Sequence, residues 1–160
     1  MNWIYKTIPM EDITQFPDNT FGFVYMTTHK PTGKSYIGKK VLFHNKKQKL
    51  NRKDLENLQG VVGRRPSYKL IVKESDWKTY YGSQTDIKHL LSEGKKDEFE
   101  RTILKCVETK KQLTYFEIKY QMIYQVLEKP DEFFNDNILG KFFTKDLSDI
   151  KFEDLVVELK

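Results

Sequence analysis

The sequence predicts one small domain of the α+β class, and three patterns support this prediction. Two adjacent runs rich in β-branched and aromatic residues indicate a β-hairpin, an alternating run at 99–107 indicates a third strand, and a periodic apolar stripe after Thr109 indicates an amphipathic helix. A chain of 160 residues is long enough for one hydrophobic core and short for two ordinary domains. We therefore expect a single unit, 1–160.

The hairpin comes first, with strands expected at 20–28, TFGFVYMTT, and at 34–41, KSYIGKKV. Residues 30–33 form the turn between them, because Pro31 fixes one φ angle and Gly33 tolerates positive φ.

The length of this turn fixes which residues face each other. With a four-residue loop, Tyr25 faces Gly38 and is a diagonal neighbour of Tyr36, and the backbones of the two tyrosines are expected roughly 7 Å apart. Gly38 leaves space beside Tyr25, and Lys40 points to the same side because alternate strand residues share a face. Two phenols, a gap and an ammonium group are therefore expected on one surface.

Residues 42–80 have the composition of an insertion after the hairpin. Eleven basic and two acidic residues lie from Lys39 to Lys73. Short helices are predicted at 52–58 and 68–73, with glycines and a proline between them. A basic block of this kind is most often a solvated face, and in a nearly neutral domain a polyanion partner is the next interpretation.

Two elements follow the insertion. The segment 79–96, TYYGSQTDIKHLLSEGKK, predicts a turn, a helix capped by Ser83 and a helix end at Gly94. The run FERTILKCV at 99–107 alternates in polarity and predicts the third strand.

The strongest helix signal begins at Thr109, which has capping-box spacing to Gln112. The helix is expected to end before Pro130. Glu117 lies about 40° from Leu113 around the helix axis, so a carboxylate falls on the apolar stripe. The stripe consists of Leu113, Phe116, Tyr120, Ile123, Tyr124 and Leu127.

The last part of the chain completes the predicted layout. Residues 133–143, FFNDNILGKFF, indicate an asparagine-rich turn, and the acidic segment 141–160 predicts a helical tail. The core is expected at about 20–140, with the basic insertion at about 42–80.

Composition excludes several classes of protein. Three dispersed histidines and the lone Cys106 give no zinc-site spacing, and the sequence has no glycine-rich phosphate loop and no nucleophile elbow. An internal disulfide needs a second cysteine. With no leader-like run and no apolar stretch long enough to span a bilayer, we expect a cytoplasmic protein with no membrane contact.

The remaining residues suggest hydrolysis of a phosphodiester. Magnesium takes oxygen ligands, commonly one or two carboxylates with water and phosphate, and Glu117 is such a carboxylate. A phenol and a nearby cation can serve an attacking water and the developing charge. A phenol is a poor base near neutral pH, so neighbouring cations or the metal would have to lower its pKa.

The segment GFVY, ten residues and then YIG, at 22–38, resembles the signature of the GIY-YIG nuclease superfamily. The strand FERTILKCV, a helix with one glutamate and the pair Phe134-Asn135 follow in the expected order. The likeness covers about 21–137. Within the superfamily it more closely resembles phage-encoded homing-type endonucleases related to SegE, which share segments similar to YIGKK, ESDWKTYYGS and NDNILGKF.

This resemblance implies a three-stranded antiparallel sheet flanked by helices, and cleavage of double-stranded DNA with one divalent metal, Mg²⁺ or a substitute such as Mn²⁺. For a phage-encoded member the location is the bacterial host cytoplasm. Glu117 matches the metal ligand, and Asn137 is a rival to Asn135 for a place near the phosphate. The implied catalytic set is Tyr25, Tyr36, Gly38, Lys46, Glu117 and Asn135.

The family has an arginine about eight residues after the motif glycine, where this chain has Lys46. Lysine supplies charge without the bidentate fork of arginine, and Arg52, Arg64, Arg65 and the pair Lys88-His89 are alternatives. The residues expected to contact DNA are Lys39, Lys40, His44, Lys47, Arg52, Arg64 and Arg65.

Two other functions fit the same sequence. The first is a DNA-binding module that kept the fold and lost catalysis, which the displaced arginine favours. The second is a protein-interaction domain in which the tyrosines are core residues and the basic block meets an acidic partner. The sequence leaves the oligomeric state and the target site open.

Overall fold

A computed structural model describes residues 2–60 and 62–147. Three α-helices lie in this part of the chain: α1 at Arg52–Glu56, α2 at Thr85–Ser92 and α3 at Lys110–Ile123. The strands are β1 at Trp3–Tyr5, β2 at Ile8–Met10, β3 at Gly22–His29, β4 at Ser35–Val41, β5 at Phe43–Lys49, β6 at Tyr68–Glu74, β7 at Phe99–Val107, β8 at Asn137–Ile138 and β9 at Phe142–Phe143.

The central sheet has five strands in the order β2-β1-β7-β3-β4. The three strands expected from the sequence are therefore only part of it. The extra strands, β1 and β2, come from the first ten residues and contain only three residues each. Such short strands give almost no periodic signal. All neighbours are antiparallel except β1 and β7, and Trp3 of β1 is completely buried.

The predicted hairpin is confirmed in both register and turn. Tyr25 pairs with Gly38 and Thr27 pairs with Tyr36. Gly33 adopts a φ of 71°, the left-handed conformation that glycine tolerates, and its N–H donates to the carbonyl of His29 at 2.8 Å.

The two faces of the sheet carry different cores. One face packs aromatic rings, including Trp3, Phe23, Tyr25 and Trp77. The other packs aliphatic side chains against α3, which buries Leu113 there. Because alternate residues of β4 point to opposite faces, this strand contributes side chains to both.

The insertion forms a second sheet, and the predicted helix at 68–73 is wrong. Residues Tyr68–Glu74 are strand β6, which pairs with β5 in an antiparallel ribbon. The β-branched pair Ile71-Val72 and the alternation of Leu70 with Lys69 favour a strand over a helix of this length. Helix α1 confirms the short helix expected near Arg52.

Helix α2 ends before Gly94 as predicted, but its cap differs. The side chain of Gln84, rather than Ser83, accepts from the backbone N–H groups of Asp86 and Ile87. The Ser83 hydroxyl lies 3.3 Å from the hydroxyl of Tyr36 instead.

Helix α3 begins at the predicted cap, where Thr109 accepts from the N–H of Gln112 at 3.2 Å. It ends at Ile123, well before Pro130, and Gln125 has a left-handed φ of 54°. The predicted stripe is therefore wrong at Ile123 and Tyr124, whose side chains are exposed.

The segment after α3 lies along the outer edge of β4. Phe133 forms a parallel bridge with Ser35, and β8 and β9 pair in a small hairpin. The predicted tail helix at 141–160 lies mostly outside the described residues, and its first part is β9 and a short 3-10 helix. Across the described segments no helix combines the length and apolarity of a membrane span.

Candidate active site

A cleft of about 500 Å³ opens at the edge of β4, where α3 and the loops before α2 and around β8 meet. It unites residues from four parts of the chain that are far apart in sequence. Its lining consists of Tyr36, Lys39, Ser83, Gln84, Thr85, Glu117, Gln121, Asn135, Asp136, Asn137, Leu139 and Gly140.

Gly38 allows the two motif tyrosines to lie close together. The Tyr25 and Tyr36 ring centroids are 6.2 Å apart. A Cβ atom at residue 38 would lie 2.6 Å from the Tyr25 hydroxyl and 2.8 Å from the Tyr36 ring, so any larger side chain would displace them. The gap predicted from the hairpin register is therefore occupied by both rings.

Tyr25 lies beneath the cleft and does not line it. Its side chain is 0% exposed, and its hydroxyl makes no hydrogen bond of acceptable geometry to any described residue, the nearby Tyr80 included. Burial raises the pKa of Tyr25 well above its ordinary value, and the phenols of Tyr80 and Tyr36 raise it further. Tyr25 therefore packs beneath Tyr36, and its phenol is protonated at neutral pH.

Tyr36 is the motif tyrosine that reaches the cleft. Burial raises its pKa, the hydrogen bond to Ser83 opposes this, and the negative charges of Glu117 and Asp136 raise it further. The phenol is thus protonated at neutral pH in the metal-free chain.

Glu117 projects from α3 toward the edge of β4, with its side chain 15% exposed. Its carboxylate pairs with the Lys39 ammonium at 2.8 Å, and the same ammonium donates to the Thr114 hydroxyl at 3.2 Å. Residues 36 and 39 lie on opposite faces of β4. The cleft therefore takes residues from both faces of β4, with Tyr36 on one side and the Lys39–Glu117 pair on the other.

The cleft suits a hard cation better than a soft one. Besides Glu117 it offers the Asp136 carboxylate and hydroxyl and amide oxygens, the donors that Mg²⁺ prefers. No three His, Cys, Asp or Glu side chains converge on one point in residues 2–60 and 62–147.

Asn135 is buried, and its amide is bound to the backbone of β4. Its Oδ1 accepts from the N–H of Ile37 at 2.9 Å, and its Nδ2 donates to the carbonyl of Ile37 at 2.8 Å. Gln121, which sequence analysis did not identify, donates to the same carbonyl at 3.0 Å. Asn137 instead accepts from the N–H of Gly140 and closes the turn after β8.

The basic residues divide into two groups. Lys39, Lys40 and His44 line a second groove of about 710 Å³, which shares Lys39 with the cleft. Lys110, which no sequence pattern indicated as a DNA contact, lines the same groove. The other predicted contacts lie outside both linings: Lys46 and Lys47 on β5, Arg52 on α1, and Arg64 and Arg65 in the loop before β6.

One buried arginine anchors the loop that precedes the cleft residue Ser83. Arg101 of β7 is 2% exposed, and its guanidinium donates to the carbonyls of Lys78 and Tyr80 at 2.9 and 2.8 Å. It therefore holds the loop that leads to Ser83. No sequence signal distinguished it from the other polar residues of this strand.

A hairpin with two clustered tyrosines, beside a helix whose glutamate faces the same strand edge, is the arrangement expected for the GIY-YIG class of nuclease domains. The profile of one family in this class, described as "Putative endonuclease segE, GIY-YIG domain", matches residues 3–138. The chain belongs to this SegE GIY-YIG family, and the match includes β1 and β2. Comparisons with curated proteins and with solved structures found no match.

Proposed function

We propose that the protein is a metal-dependent endonuclease that hydrolyses phosphodiester bonds of double-stranded DNA. The observation that carries the proposal is the cleft in which Tyr36, Lys39 and Glu117 meet. The family match supports nuclease activity on DNA. From the same resemblance we propose a phage-encoded, homing-type enzyme that works in the bacterial host cytoplasm.

In this proposal Glu117 holds the divalent cation, with Asp136 as the second carboxylate that faces the cleft. Magnesium or manganese bound there would supply positive charge for the departing oxygen. A cation held by Glu117 would displace the Lys39 ammonium from its ion pair, and Lys39 would then be free to contact a phosphate oxygen. Lys39 thus takes the part that sequence analysis assigned to Lys46.

Tyr36 acts through its hydroxyl proton. Since its pKa is raised, the phenol donates a hydrogen bond to a phosphate oxygen or orients the attacking water, and it accepts a proton only when nearby positive charge lowers that pKa. Asn135 and Gln121 are positioning residues, because they bind Ile37, the neighbour of Tyr36.

A nicking assay on supercoiled plasmid tests the proposal. Wild-type protein with Mg²⁺ should open the plasmid, and Glu117→Gln should lower the rate by about 100-fold or more, since the cation site and the charge at the phosphate are lost together. The matched control is Glu100→Gln, which replaces an exposed carboxylate on β7 with a carboxamide. This variant should cut like the wild type.

The second candidate is a DNA-binding module without catalysis. It is favoured by the pairing of Lys39, the one cation that lines the cleft among the described residues, with Glu117. Equal residual nicking by the wild type and Glu117→Gln, together with salt-sensitive binding of duplex DNA, would establish this second function.

A further inference from the structure

The ribbon formed by β5 and β6 has one face that is both apolar and exposed. Tyr68, Leu70 and Val72 lie on this face at 58%, 66% and 70% exposure. Soluble proteins seldom leave a row of large apolar side chains bare on a strand unless it meets a partner. A two-stranded ribbon alone is also only marginally stable in water, so contact with a partner would stabilise it.

On the same face of the ribbon, the β5 residues that lie opposite these three apolar residues are polar. Asn45 pairs with Val72, Lys47 with Leu70 and Lys49 with Tyr68, and alternation places all six on the same face. Of the five lysines in the two strands, Lys47 and Lys49 lie on this face. Glu74 lies at its base, where the carboxylate accepts from the Trp77 indole, so the outer part of the face is positively charged. A surface with this charge is complementary to a polyanion, whereas a second copy of the same face would bring like charges together.

We propose that this face of the β5–β6 ribbon enters the major groove of DNA and reads base edges. This inference rests on the proposed function and goes beyond phosphate binding by the insertion. The major groove, about 12 Å wide, admits a two-stranded β-ribbon. Leu70 and Val72 suit thymine methyl groups, Asn45 suits adenine, and Lys47 suits guanine.

The geometry also sets the size of the site. Residues 68 and 72 are four positions apart, which is about 13 Å along a strand, or roughly four base-pair steps of B-form DNA. The second groove lies at the base of the ribbon, where Phe43, His44 and Asn45 line it, and it shares Lys39 with the cleft. A duplex that fills the cleft therefore continues along a basic path toward the ribbon.

Selection from a randomised duplex library tests the inference, with full-length protein in the absence of divalent cations so that no DNA is cut. The wild type should enrich a contiguous block of about five base pairs and bind it about tenfold or more tightly than random duplex. The double variant Leu70→Thr/Val72→Thr keeps strand-forming residues but removes the apolar face, and its preference should fall close to one.

Two charge variants separate reading from phosphate binding. Lys47→Gln, on the proposed face, should lose both affinity and preference. Lys73→Gln removes the same charge from the opposite face and should weaken binding to all duplexes while the preference remains. Circular dichroism and the melting temperature should show that all variants fold.

The inference fails if no block is enriched, if the Leu70→Thr/Val72→Thr protein keeps the wild-type preference, or if the wild type self-associates and this variant does not. In the last case the face is an interface between copies. Glu117-dependent nicking with no base preference would overturn only the ribbon inference. Absence of both nicking and duplex binding would overturn the proposed function as well.

Discussion

Replacement of Asn135 by alanine would decide between two roles for this residue, a direct contact to the phosphate or support of β4. The side chain makes two hydrogen bonds to the backbone of Ile37, at 2.9 and 2.8 Å, in a buried location. After the substitution the carbonyl of Ile37 keeps its bond from Gln121, but the N–H has lost its acceptor. A buried unsatisfied donor with a small cavity beside it costs roughly 2–4 kcal/mol.

Urea unfolding followed by circular dichroism measures this loss, and nicking is measured at a temperature where both proteins are folded. Asn137→Ala is the matched control, because its bond to Gly140 is partly exposed and water can replace it, so a loss below about 1 kcal/mol is expected. If Asn135→Ala unfolds like the wild type within about 0.5 kcal/mol but no longer nicks DNA, our assignment of a positioning role is refuted.

Two further substitutions probe the tyrosine pair. Gly38→Ala places a methyl group 2.6 Å from the Tyr25 hydroxyl, so we expect a loss of roughly 1–3 kcal/mol in urea unfolding and greatly reduced nicking; wild-type values for both would contradict the close packing. Tyr25→Phe removes a buried hydroxyl without a hydrogen bond, so stability at neutral pH should be unchanged or higher. Because the folded-state pKa of Tyr25 is raised, its contribution to stability is complete below the unfolded pKa of about 10 and is lost as pH rises above it. The free energy of unfolding, measured with urea between neutral pH and pH about 11, should therefore decrease less steeply for Tyr25→Phe than for the wild type. Equal slopes for the two proteins would show that this phenol ionises freely in the folded state.

Local patterns predicted the parts of the fold whose causes are local. The register of Tyr25 with Gly38 follows from a four-residue turn and the alternation of a strand, and the structure shows it directly. The start of α3 follows from the cap at Thr109. Each depends on residues only a few positions apart, which a sequence displays side by side.

The features that the sequence did not predict depend either on contacts between residues far apart in the chain or on apolar side chains that are exposed. Asn135 and Ile37 are 98 positions apart, so no spacing rule connects the amide with the strand it supports. The alternation of β6 was misinterpreted because its apolar residues, such as Leu70, are exposed rather than in the core. Likewise Ile123 is exposed although it lies within α3, because the buried face runs from Leu113 to Gln121 and Ile123 points about 80° to the other side of Leu113.

Both edge strands of the central sheet are protected against pairing with a strand of another molecule. At one border the backbone N–H of Phe134 donates to Ser35, and Asn135 extends that coverage to Ile37. At the other, β2 is three residues long and has Pro9, which lacks an N–H, at its centre. Within the described residues, β5 and β6 are thus the longest strands whose outer edges no other strand pairs, and their five lysines, rather than a covering segment, oppose unwanted strand addition there.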